Sequence, residues 1–451
     1  MEKTAEPRAL AKWGLVLVAV VTLGVAVQQY YRVDRIVHDP LGGHVNDFDR
    51  WMILTPQFIH DGADYVDDLL PTPPFSLLLL APFTVLSRPV AQFAWVCLKL
   101  PLAWIVFAIA ASMVRRSGAR LNPLAIVLIL ACWWLPIIID MQEGQINFVV
   151  LLPLVAALWL VQDDTPVSDA IAGTLIGLAA AIKITPLVFA IYFFWKRRWM
   201  VALAAVASLA IATFLIPSMV FGWEQNARWL QAWGNIMIVP YVTNRDVLYP
   251  ASQSFGSFAL RLLNPIPLFD TIENGIPYGH YMNVVMLTEK TVSHVVLGVM
   301  FVVAFAGLLW MRRPLATLRG RRYLVEIGAV TAFMLWFSER TWVHHYVSFI
   351  FTLCAAGAIV SDDTQSARTR RQVIASLALF AIISLFASEA GRIFGANGVD
   401  WAKGLGVFLW PSVVVTVVTM RSPTEARRRI ESTERAPAFD YYPSTSVPSE
   451  E

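Results

Sequence analysis

Apolar runs of about 18 or more residues recur along nearly the whole chain, each closed by a short polar or charged stretch, which is the pattern of bilayer-spanning helices. The first runs from Trp13 to about Val27 and continues into Gln28-Gln29-Tyr30-Tyr31-Arg32 without a small-residue cleavage site, so it predicts an uncleaved first span. The run from Pro73 to Leu86 is short and broken by prolines. A crossing there would put Arg115-Arg116 outside, so the segment reads as re-entrant or interfacial. Further spans fall near 91–114, 121–139, 145–161, 168–183, 184–196, 199–221, 287–311, 323–338, 345–361, 372–388 and 402–420. The expected fold is therefore all-α and polytopic, with about 12 transmembrane helices and both termini inside. The spans 168–183 and 184–196 are individually short. Their junction, Lys183-Ile184-Thr185-Pro186, predicts a broken helix lining a cavity, because freed backbone groups cannot face lipid.

Composition agrees: 57% of the 451 residues are hydrophobic and 15% charged, and mean hydropathy is +0.59, more apolar surface than one soluble core could hide. Charge matters through its placement. Arg115-Arg116, Lys196-Arg197-Arg198, Arg312-Arg313, Arg321-Arg322, Arg370-Arg371 and Arg427-Arg428-Arg429 each close an apolar run, which places those ends in the cytoplasm and makes nucleic acid a poor partner. Cys97, Cys132 and Cys354 stand alone in apolar runs and read as core residues. Residues 1–421 form the expected transmembrane domain. Residues 422–451, rich in Pro, Ser, Glu and Arg, read as a disordered cytoplasmic tail.

The stretch from His44 to Pro82 concentrates acids next to a membrane boundary: Asp47 and Asp49, then Asp61, Asp64, Asp67 and Asp68. Solvated loop acids would look the same, so the surroundings decide. Trp51, Phe58 and Tyr65 suit short helices lying in an outer interface. Lys183 is a cation in an apolar stretch, either paired and snorkelling or ligating a lipid phosphate. His344-His345 offers hydrogen bonds to sugar or phosphate, or interfacial packing; adjacent residues point to different helix faces and do not readily chelate one ion. Asp140, Glu143, Gln145 and Asn147 open the outer end of a helix as ligands or as caps. A long outer loop, about 222–286, carries Trp223, Trp229 and Trp233, then Gln253-Ser254 and Arg261. A Walker-type loop, GxSxG and Cys/His metal spacing are missing, so no cofactor and no metal are expected.

These motifs come in an order that resembles glycosyltransferase family 87. They are Asp47-Phe48-Asp49-Arg50-Trp51, Pro73 to Phe83, Gly144-Gln145-Ile146-Asn147, Lys183-Ile184-Thr185-Pro186 before Trp195-Lys196-Arg197-Arg198-Trp199, Gln253-Ser254, and Trp342-Val343-His344-His345-Tyr346. Thr72-Pro73-Pro74 departs from the family's Tyr-Pro-Pro, and the tail after Met420 lies outside its pattern. The resemblance implies a GT-C fold, an outer-leaflet polyprenyl-phosphate hexose donor (usually mannose), a lipid or glycan acceptor, and inversion without a nucleotide sugar. By motif position Asp47 is the general base. Asp49, Asp140, Glu143, Gln145, Asn147, Lys183, Gln253, Arg261, Arg340, His344 and His345 are the expected substrate-binding residues. The setting is the plasma membrane, with the site on its outer face. A lipid-linked sugar transporter or flippase is the rival reading; it predicts paired halves with matching interruptions, which the sequence does not show. A non-catalytic lipid-binding scaffold would not need carboxylates facing a phosphate-binding cation.

Overall fold

The computed structural model describes residues 6–38, 43–63, 70–240, 252–273, 276–315, 318–338 and 340–422. The expectations for Asp64, Tyr65, Asp67 and Asp68, for part of the 222–286 loop and for the tail beyond Ser422 lie outside these. In chain order the helices are α1 (Glu6–Val37), α2 (Asp47–Asp61), α3 (Phe75–Leu80) with the 3-10 turn Ala81–Val85, α4 (Arg88–Arg116), α5 (Pro123–Gln142), α6 (Asn147–Leu160), α7 (Pro166–Ile182), α8 (Val188–Trp195), α9 (Trp199–Ala210), α10 (Ile216–Phe221) and α11 (Trp223–Met237). They continue as α12 (Phe255–Leu263), α13 (Glu289–Trp310), α14 (Arg321–Phe337), the 3-10 helix Val343–Phe349 running into α15 (Ile350–Val360), α16 (Ala367–Ser384), α17 (Gly398–Gly404) and α18 (Leu409–Arg421).

The protein is a multi-pass helical membrane protein. Six of the described helical segments are long and apolar enough to span, or up to seven if the bent pair α17–α18 counts as one. By length and composition that falls short of the dozen expected. In place of the spans expected near 145–161, 168–183 and 184–196 lie the shorter apolar helices Asn147–Asp163, Pro166–Ile182 and Thr185–Trp195. One element departs from the all-α expectation: β1 (Phe269–Glu273) pairs antiparallel with β2 (Ile276–His280), Phe269 opposite His280.

Ion pairs mark the two ends of the bundle. At one end Arg116 meets Asp163 at 2.9 Å, Arg198 meets Asp169 at 2.7 Å, Lys196 meets Glu326 at 2.7 Å and Arg321 meets Asp362 at 2.5 Å. These cations therefore share an end, paired with acids of α7, of α14 and of the segments that follow α6 and α15. At the opposite end Arg88 meets Asp49. Residues 75–85 stay at that end, packed on α2 with the 81–85 turn against α4, and do not traverse the bundle.

Two packing devices position the site. Phe48 of α2 stacks on Trp95 of α4, with centroids 4.7 Å apart and planes 9° apart, while Phe83 meets both rings edge-on. This aromatic trio fixes α2 and the 81–85 turn to α4. The second is Gly173-x-x-x-Gly177 on α7. A Cβ at Gly173 would lie 2.3 Å from the Val201 carbonyl oxygen, and one at Gly177 2.3 Å from that of Ala205, so α7 and α9 touch backbone to backbone as small residues spaced by four allow. Helix α7 ends at Lys183, whose backbone is extended (φ −149°, ψ 122°), and Thr185–Leu187 turns the chain into α8. The break expected at Lys183-Pro186 is there.

Candidate active site

Asn46 caps α2 by accepting the Asp49 amide at 3.0 Å, and its own side-chain amide donates to the Gln142 carbonyl at 2.9 Å, so the start of α2 is anchored to the end of α5. Two residues apart on a helix, Asp47 and Asp49 diverge. Asp49 is buried, and both of its oxygens are taken by Arg88 at 2.8 Å, with the Val45 amide adding a bond at 2.9 Å. Expected as a substrate ligand, it is committed to a bidentate ion pair joining α2 to α4. Asp47 keeps 32% side-chain exposure, accepts from Arg50 at 2.8 Å and receives the Gln145 side-chain amide on its other oxygen.

Gln145 reaches Asp47 because residues 143–147 turn tightly beneath α2. Gly144 makes the turn at φ +64°, and a Cβ there would lie 2.6 Å from Phe48 Cβ. Both the backbone angle and the contact require glycine. The Gly144 carbonyl also takes the Trp95 indole at 2.9 Å.

Behind this turn runs a chain of polar contacts. Lys99, wholly buried on α4, donates to the Asp140 carboxylate at 3.1 Å. The second Asp140 oxygen accepts from the Asn147 amide at 2.9 Å, Asn147 Oδ1 accepts from Lys183 Nζ at 2.9 Å, and Lys183 lies 2.6 Å from His345 Nε2. His345 Nδ1 accepts the Trp342 amide at 3.0 Å. Lys183, Asn147, His345, Arg340, Thr341 and Ser348 line a cavity of about 60 Å³. Asp47 is joined to this chain through Gln145, whose side chain it accepts from and whose carbonyl takes Lys99 at 3.2 Å.

The other expected residues lie elsewhere. Asp140 is fully buried and engaged only by protein groups. Gln253 is a staple: its amide donates to the Lys403 carbonyl at 2.7 Å and its Oε1 accepts the Phe408 amide at 3.3 Å. Arg261, with no exposed surface, clamps the Ser252 carbonyl at 2.8 Å and does not line the cavity. His344 is buried with its Nε2 unpartnered, and it too is outside the cavity wall. Glu143 is reachable by solvent, yet the protein around it withdraws enough water that burial, and then the Asp47 charge, hold its carboxyl above the usual range. Lys99 and Arg88 were not among the expected residues. Lys99 carried the same signal as Lys183, a cation inside an apolar run.

A sequence model described as glycosyltransferase family 87 matches residues 72–338. A polyprenol-phosphate-mannose-dependent alpha-(1-2)-phosphatidylinositol mannoside mannosyltransferase of Mycobacterium tuberculosis is 31% identical over 166 residues, 34% of this chain and 37% of the relative. The corresponding phosphatidylinositol pentamannoside mannosyltransferase of Mycolicibacterium smegmatis is 29% identical over 157 residues, 33% of this chain and 35% of the relative. The chain thus matches little more than a third of either relative's length. Among solved structures, ArnT from Cupriavidus metallidurans bound to undecaprenyl phosphate aligns over 91% of this chain and 77% of its own, at 12% identity and TM-score 0.38. Arabinosyltransferase EmbB from Mycobacterium smegmatis aligns over 93% of this chain and 41% of its own, at 16% identity and TM-score 0.37.

Proposed function

Since this chain belongs to glycosyltransferase family 87, we propose that it moves a hexose, mannose first among candidates, from a polyprenyl-phosphate sugar to a lipid or glycan acceptor. The curated relatives, named for polyprenol-phosphate-mannose dependence, support that donor. The observation that carries the reading is the pairing of a half-exposed carboxylate with a cationic cavity: Asp47 is held by Gln145, and Lys183 and Arg340 line the recess beside Asn147.

In the reaction, Asp47 takes the proton of the acceptor hydroxyl as that oxygen attacks the sugar C1. The C1–O bond to phosphate breaks with inversion, and Lys183 with Arg340 holds the charge that develops on the departing phosphate. Asn147 and His345 aim Lys183, and Gln145 aims Asp47. Lys183 and Arg340 make the recess suited to the phosphate, with the hexose lying towards Asp47. Arg116, Arg198 and Arg321 lie at the end opposite Asp49 and Arg88, which by the positive-inside rule supports a site facing outwards, and the membrane we propose is the plasma membrane.

The test is incubation of the purified protein with labelled polyprenyl-phosphate mannose and candidate envelope lipids, followed by product analysis. Mannose transfer is expected from this donor. Transfer from a nucleotide sugar, or none from the lipid donor under conditions where it binds, would refute the reading.

A further inference from the structure

Lys99 sits mid-helix in α4 with no exposed surface, and no step of the proposed reaction touches it. Its ammonium meets the Asp140 carbonyl at 2.7 Å, Asp140 Oδ1 at 3.1 Å and the Gln145 carbonyl at 3.2 Å, so its three donors are matched by three oxygens. Those oxygens come from the two ends of one turn, residues 140–145. Gln145, whose carbonyl takes Lys99, gives its side-chain amide to Asp47. Asp140, through its other oxygen, fixes the Asn147 amide, which leaves Asn147 Oδ1 facing Lys183. One buried ion pair therefore has an arm on the partner of the acid and an arm on the partner of the cation.

Stability alone gives little reason for such a pair. Desolvating two charges roughly offsets their attraction, and an apolar pair of similar volume commonly holds helices as well or better. What the pair supplies, and an apolar pair would not, is direction. It pins both ends of the 140–145 turn, so the Gln145 side chain and the Asn147 side chain leave that turn at fixed angles. We propose that Lys99, acting through Gln145 and the 140–145 turn, is a positioning residue for the transfer, setting the aim of Asp47 without touching donor or acceptor. This rests on the role given to Asp47 above.

The experiment compares the full-length parent with the double variant Lys99→Met/Asp140→Asn, measuring melting temperature, Kd for polyprenyl-phosphate mannose, and kcat. Removing both charges together strands neither, and an asparagine at 140 can still accept from Asn147. The Gln145 carbonyl loses its tether. The double variant is expected to melt near the parent and bind donor within about threefold, while kcat falls by about 10- to 100-fold, the scale of a misplacement of about 1 Å. A folded double variant with parental kcat overturns the proposal, because a purely structural pair would leave turnover intact. So does weakened donor binding with kcat unchanged. Lys99→Gln/Asp140→Asn, which keeps two N–H donors at position 99 and strands no charge, reads the same split should the first double variant fail to fold. A parent that transfers no mannose defeats the functional reading itself, an outcome distinct from a variant that matches an active parent.

Discussion

At the scale of single residues, the two aspartates at the start of α2 separate by partner. Asp47→Asn should cut kcat by about 100- to 10,000-fold while donor affinity stays near the parent's, the range for loss of a positioned base; donor titration beside initial rates checks it. Asp49→Asn should act on stability instead. It strips the partner from Arg88, which is 27% exposed, and should cost about 2 kcal/mol, less than breaking a wholly buried pair. A denaturant titration would show whether that loss is there. Lys183→Met should weaken donor binding by roughly 10- to 100-fold, the worth of a charge-assisted hydrogen bond. Glu143 gives a pH test. Its folded pKa is raised, so its contribution to stability is full below the unfolded carboxyl range and is lost as pH rises through the folded value. Glu143→Gln should therefore melt higher than the parent at pH 8, the gap closing as the medium is acidified towards pH 4.

Among helices and turns, what the sequence disclosed and what it hid follow from the range of the interactions. The break at Lys183 was legible because Lys-Ile-Thr-Pro carries a cation and a proline in four residues. The stretch 75–85 was legible as non-crossing from its prolines and from the charge rule, and it packs on α2 as that reading requires. The divergence of Asp47 from Asp49 follows from helical spacing alone. Longer-range facts were not legible. Asp49 finds Arg88 39 residues on, and Lys99 finds Asp140 41 residues on, so neither pairing shows in any local window. Gln253 and Arg261 look like ligands because polar residues in an outer loop usually reach solvent, whereas here they tie carbonyls of neighbouring segments. The β hairpin had a local signal, Asn274-Gly275 between β-prone residues, that an all-helical reading passes over. The α7–α9 contact gives the prediction at this scale. Gly177→Val must push α9 away, and should destabilise by at least the roughly 1–3 kcal/mol of an overpacked core. Thermal unfolding in detergent is the readout.

For the whole molecule, orientation is the testable property. In a cysteine-free background, Arg120→Cys in the α4–α5 loop should react with a membrane-impermeant maleimide only in inverted vesicles, and His60→Cys at the end of α2 only in intact cells; the opposite pattern would put the site in the cytoplasm. The backbone contact between α7 and α9 also bears on how such a protein can diversify. Lys183 is the residue that ends α7, and α7 cannot shift or roll without driving a carbonyl of α9 into Gly173 or Gly177. That wall of the cavity is inherited as a unit, because any single change to its aim must be matched on a second helix. The facing wall is held in the same way, because a Cβ at Gly328 of α14 would lie 2.9 Å from the Thr352 Cα of α15, the helix that follows His345. New donor head groups would therefore be accommodated by replacing side chains that line the cavity, such as Thr341 and Ser348, between two walls that keep their place.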